Sequence, residues 1–111
     1  MRLTSSFWVA AYLRQCHSLG AFAVVRRRGA SESGAIFVVL DRLDGTKVLF
    51  EPAPQSVVLD GGNDRRFTEV PELPERDEAV EARLAREIKF DPDMWIVVVE
   101  DRSGRHFLEL V

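Results

Sequence analysis

The stretch Gly34–Glu51, Gly-Ala-Ile-Phe-Val-Val-Leu-Asp-Arg-Leu-Asp-Gly-Thr-Lys-Val-Leu-Phe-Glu, constrains the fold more than any other part of the 111-residue chain. Two apolar runs flank Asp44-Gly45, and an Asp-Gly pair so placed is the strongest short-range signal for a β-hairpin. If Asp44 and Gly45 form a two-residue turn, Leu43 lies opposite Thr46, Asp41 opposite Val48, Leu40 opposite Leu49 and Val39 opposite Phe50. That register sends Ile36, Val38, Leu40 and Leu49 to one side and Phe37, Val39, Val48 and Phe50 to the other. Both faces of the hairpin are then apolar, and both need cover.

Before the hairpin, Thr4, Ser5 or Ser6 can cap a helix over about Ser6 to Leu19, in which Val9, Tyr12, Leu13 and Cys16 recur at three- and four-residue spacing and Gly20 ends the run. Ala21 to Arg28 reads as a strand finishing in Arg26-Arg27-Arg28. After the hairpin Pro52 closes the third strand, because proline donates nothing to a ladder. A short apolar-polar piece about Phe67 is a further strand candidate. Pro71 and Pro74 lead into a second helix, roughly Glu75 to Lys89, with the stripe Val80, Leu84, Ile88, acids in its first turn and bases toward its end. Asp91-Pro92-Asp93 suits a type I turn before Trp95–Val99, an unbroken β-former run expected at the centre of the sheet. His106–Val111 reads as a closing edge strand. The expected class is therefore α+β, a mainly antiparallel sheet of about five strands with two helices in the order α-β-β-β-α-β-β, in one small domain over residues 1–111.

Composition sets further bounds. A net charge of −3 excludes a globally basic nucleic-acid binder, and 46% hydrophobic with 30% charged residues is the balance of a soluble globular chain. The apolar run Phe7–Leu13 is too short before Arg14-Gln15 for a signal peptide, and no window has the length of a membrane span. One cysteine, Cys16, leaves no internal disulfide and suits the cytoplasm.

Several motifs occur together in order: Leu3-Thr4-Ser5 followed by Trp8-Val9, the Gly34-Ala-Ile-Phe hairpin with Asp44-Gly45, Pro52-Ala-Pro-Gln55, and Arg83-x-x-Arg86-Glu87-x-x-Phe90-Asp-Pro-Asp93-x-Trp95-x-Val97. In this combination the chain resembles the bacterial family called domain of unknown function 1491 over nearly its whole length. The resemblance implies a small bacterial protein of no assigned activity, and it brings no catalytic residues with it.

Residues able to carry chemistry are sparse. Cys16 and His17 are neighbours on a helix, about 100° apart, so they do not face each other; Cys16 falls on the apolar stripe and His17 near the helix end. Asp91 and Asp93 lack the additional oxygen ligands that a hard cation needs. Gly61-Gly62 has no phosphate-loop pattern around it. No catalytic, metal or cofactor residue, and no cofactor, is assigned. Arg26, Arg27, Arg28, Arg65 and Arg66 are the candidates for contact with an anion or a partner, although alternation along a strand divides the first three between two faces. Pro52, Pro54, Gln55, Asp91 and Trp95 are candidates for a groove stiffened by proline. Trp8 and Trp95 are expected in the core.

The function expected from these features is a non-enzymatic protein-interaction or regulatory module, acting as a homodimer because two helices do not suffice for a hairpin apolar on both faces. The alternatives are a nucleic-acid-associated protein using the arginines, whose binding falls steeply with salt, and an enzyme whose groups meet only in three dimensions, such as Asp91, Asp93, His106 and Gln55.

Overall fold

The computed structural model describes residues 3–54 and 65–111. Its elements run α1 (Ser5–Ser18), β1 (Phe22–Arg27), β2 (Ile36–Asp41), β3 (Lys47–Pro52), β4 (Phe67–Glu69), α2 (Asp77–Phe90) and β5 (Trp95–Glu100). The strands form one sheet in the order β1-β5-β2-β3-β4. Each neighbouring pair is antiparallel except β5 with β2, which is parallel. The chain leaves the hairpin at one side of the sheet, crosses through α2, and returns to the middle. There β5, built from Trp-Ile-Val-Val-Val-Glu, is paired on both sides, as its run of β-formers predicts.

The two helices take opposite faces. The Thr4 hydroxyl accepts the Phe7 N–H at 3.2 Å and caps α1, which buries Val9, Tyr12 and Cys16 against Ile36, Val38, Phe50, Trp95 and Val97. Ala21 and Ala23 lie under this helix, where small side chains permit close approach. On the other face Val80 and Leu84 of α2 pack on Phe37, Val39, Leu49, Met94 and Ile96. A fully buried Leu or Ile side chain contributes about 1.5–3 kcal/mol by leaving water, so each helix is held chiefly by its stripe. Asp77 and Glu78 stand in the first turn of α2 and Lys89 in the last, as the helix dipole favours.

Two expectations are corrected. The hairpin loop has three residues, with Arg42 N–H donating to Thr46 O at 3.2 Å around Leu43-Asp44-Gly45. Consequently Val38 pairs with Phe50, Val39 with Leu49 and Leu40 with Val48. Against the two-residue turn this is a shift of one residue, and it exchanges the faces of β3. Val48 and Phe50 join Ile36, Val38 and Leu40 under α1, while Leu49 joins Phe37 and Val39 under α2. Apolarity had no vote in the choice, since both faces of β3 are buried in either register. The loop decides it: Asp41 Oδ1 accepts the Leu43 N–H, Asp44 Oδ1 accepts the Thr46 N–H, and Gly45 takes φ +92°.

The second correction concerns the C-terminus and the hairpin's cover. His106–Val111 is no strand; it touches the sheet through one parallel bridge, Leu110 with Phe67. Phe107 at φ +57° and the Leu108 N–H given to His106 Nδ1 at 2.9 Å turn the backbone off a ladder, and β4 offers only three residues beside it. The strand about Phe67 is β4 itself, so one strand follows α2 and the count of five stands. The closing segment instead lays Phe107 and Leu108 against the α1-side core, with the His106 ring 5.0 Å from that of Phe50 and its carbonyl accepting the Tyr12 hydroxyl at 2.5 Å. With α1 and this segment on one side and α2 on the other, both faces of the hairpin are covered from within the chain.

Candidate functional site

The five arginines do not converge. Arg26 reaches the α2 face, where its guanidinium makes a two-pronged pair with Glu81, and this pairing raises the arginine pKa and lowers that of Glu81. Arg27 donates to the carbonyls of Pro92 and Met94, at 2.9 and 2.7 Å, and so ties the end of β1 to the start of β5. Arg28 stacks over the Trp95 ring, 5.2 Å from its centroid. Arg65 donates to the Leu3 carbonyl and to Ser5 Oγ at the start of α1, and the Arg66 carbonyl accepts from Ala53. The guanidinium groups of Arg26, Arg27, Arg28 and Arg65 thus bind their own chain, at places on both faces of the sheet.

Nor do the groove candidates share one wall. Trp95 is 1% exposed, with its indole N–H given to the Ala30 carbonyl at 2.8 Å. Asp91 caps α2, on the other face, and accepts the Asp93 N–H. Pro52 lines a surface cavity of about 510 Å³ with Thr4, Glu32, Ser33 and Arg65, and Pro54 is exposed nearby in sequence. Gln55 lies outside the described residues. The enzyme constellation is likewise unassembled: His106 packs on Phe50 under α1, while Asp91 closes α2. Among the described residues no group of three or more His, Cys, Asp or Glu side chains is arranged to hold a metal.

Buried titratable groups are placed for structure. Burial pushes the Cys16 thiol up and the Tyr12 phenol well above its usual range, and both lie in the α1-side core. Desolvation lowers His106, in keeping with its Nδ1 accepting the Leu108 N–H. Asp101 accepts both the side chain and the backbone N–H of Arg105, which holds its carboxyl down at about 2 and fixes the turn into the closing segment.

One surface lies outside all the sequence candidates. β1 pairs with β5 along one side, and among the described residues no strand pairs with its other side. Ala23 faces α1, so Phe22 and Val24 project to the opposite face, where they are 57% and 36% exposed. His17 occupies the open edge, with Nε2 2.9 Å from the Ala23 carbonyl and 3.3 Å from its N–H. The opposite edge, β4, is closed by the C-terminal segment through Phe67 N–H to Glu109 O and Val111 N–H to Phe67 O. The signal was present in the sequence as small-large alternation: Ala21 and Ala23 fit beneath a helix, while Phe22 and Val24 must face elsewhere.

A mixed, mainly antiparallel sheet with one helix on each face defines a small α+β protein, and among the described residues the sequence candidates are spread over both faces of that sheet. The chain belongs to the family described as protein of unknown function DUF1491, whose model matches residues 3–109. It is similar to the crystal structure of a DUF1491 family protein from Caulobacter crescentus CB15, with 36% identity and a TM-score of 0.82 over 100% of this chain and 99% of that one. A solution structure of a protein from A. tumefaciens matches with 38% identity and a TM-score of 0.82, covering 100% of this chain and 96% of that one. An NMR structure of a C. crescentus family protein gives 37% identity and a TM-score of 0.79, covering 100% and 98%. No curated protein matches the chain. No helix among the described residues is long and apolar enough to cross a membrane.

Proposed function

We propose that this protein is a non-enzymatic interaction module that works in the cytoplasm as a homodimer, with the open β1 edge as its contact surface. The observation that carries the reading is the exposure of Phe22 and Val24 on an edge strand whose outer side has no strand partner among the described residues. Strand edges that keep apolar side chains exposed favour pairing with another strand; β1 carries its charge only at the Arg26-Arg27 end, and His17 covers the backbone of Ala23 alone. The hairpin supplies no reason for a dimer, because both of its faces are covered from within the chain. Sedimentation equilibrium across a wide concentration range tests the reading. A concentration-dependent dimer supports it, and a strict monomer at the highest attainable concentration refutes it.

A further inference from the structure

Resting on that homodimer reading, we infer how the second copy sits: antiparallel along β1, with the two-fold axis at Val24. Directly opposed residues of an antiparallel pair project to the same face, so a two-fold normal to the sheet can match only β1 residues of like parity. The contact between Ala23 and His17 Nε2 shows that the Ala23 N–H and carbonyl point outward, away from β5. Centring on Val24 therefore lets Ala23 exchange ladder hydrogen bonds with Val25 of the second copy once His17 swings aside. It sets Val24 against its own symmetry mate and brings Phe22 toward Arg26 of the second copy, where β1 departs from regular register between Val25 and Arg27.

Charge selects this orientation. β1 begins beside an acidic corner: Phe22 pairs with Glu100, and Glu100 lies next to Asp41 across the parallel pair. Asp41 has Lys47 at 4.0 Å, whereas Glu100 makes no ion pair among the described residues. The other end of β1 is Arg26-Arg27-Arg28. Antiparallel pairing brings the basic end of each copy to the acidic corner of the other, twice, whereas parallel pairing would bring arginine to arginine. Along the α2 face the row then reads Glu100, Phe22, Arg26 of the second copy. Arg26 is already held by Glu81, so its guanidinium is preset to stack on the Phe22 ring and to approach Glu100.

Cross-linking tests the register. Val24→Cys, oxidised with copper-phenanthroline, is expected to give a disulfide-linked dimer in high yield, because residues at a non-hydrogen-bonded antiparallel position have their Cα atoms about 4.5 Å apart. Phe90→Cys, at an 87% exposed position on α2, serves as the collisional control, and the native Cys16 is fully buried. Glu100→Lys, which removes both cross-copy attractions, is expected to weaken the dimer about ten-fold. If the wild type dimerises but Val24→Cys cross-links no faster than Phe90→Cys, and Glu100→Lys leaves the dimer constant unchanged, this arrangement is overturned while the homodimer reading survives on another surface. If the wild type stays monomeric, including the case where β1 receives a strand from a different protein, both fall.

Discussion

Gly34→Ala is expected to be among the costliest small substitutions in the molecule, for a reason that has nothing to do with backbone dihedrals. Gly29 and Gly34 stand on either side of the Asp93 carbonyl, which accepts the Ala30 N–H at 2.9 Å. A Cβ at Gly34 would lie 2.3 Å from that oxygen and 2.9 Å from both the N and O of Ala30, all backbone atoms with no rotamer to change. Opening the space pulls on three hydrogen bonds: Ala30 N–H to Asp93 O, Gly34 N–H to Ala30 O, and Ser5 Oγ to Gly34 O at 2.6 Å. At about 1 kcal/mol net for each, their loss totals about 3 kcal/mol. The lower entropy of alanine in the unfolded chain returns about 0.4–1 kcal/mol, leaving a net cost of about 2 kcal/mol or a little more. For a domain near this size that lowers Tm by about 8–12 °C. Differential scanning calorimetry measures the loss, and Trp95 fluorescence should shift with it, because its indole N–H bonds Ala30 inside the same turn. Gly45→Ala is the comparison: it meets no atom within 4 Å but sits at φ +92°, so it should cost about 1–2 kcal/mol and leave the tryptophan signal alone. A Gly34→Ala melting temperature within about 2 °C of wild type would refute the close-approach argument.

Stability should fall with acid through Asp101. Its folded pKa of about 2 lies below the unfolded value, so its contribution is complete above the ordinary carboxylate range and disappears as pH falls toward 2. Urea midpoints of wild type and Asp101→Asn should therefore differ at neutral pH and converge near pH 2; parallel curves would contradict the assignment. Cys16, fully buried and with its thiol pushed up, should react with Ellman's reagent only at the rate of unfolding or local opening, and a native-state rate like that of free cysteine would show the helix packing to be wrong.

Taken element by element, the sequence determined whatever depends on local pattern. The α1 stripe of Val9, Tyr12 and Cys16, the Val80–Leu84 stripe of α2, the central place of the Trp95–Val99 run and the class of the fold all follow from periodicity and β-propensity acting over a few residues, while the sequence left the α1 cap open among Thr4, Ser5 and Ser6. Tertiary structure decided everything in which two local solutions were nearly equal or distant groups had to meet. β3 is buried on both faces, so burial left its register degenerate and the hydrogen bonds of Asp41 and Asp44 chose the three-residue loop. His106–Val111 has strand composition, but a β4 of three residues gave it one bridge, and its apolar side chains went to the α1-side core instead. Alternation already spread the arginines over two faces in sequence, and an acidic stretch from Glu69 to Glu81 stood ready to pair with them; tertiary structure supplied the particular partners, Glu81, the Pro92 and Met94 carbonyls, the Trp95 ring and Ser5, all far from them along the chain. The open β1 edge emerged only once β5 had inserted beside β2, because which strand is left without a neighbour is a property of the whole sheet and of no strand alone.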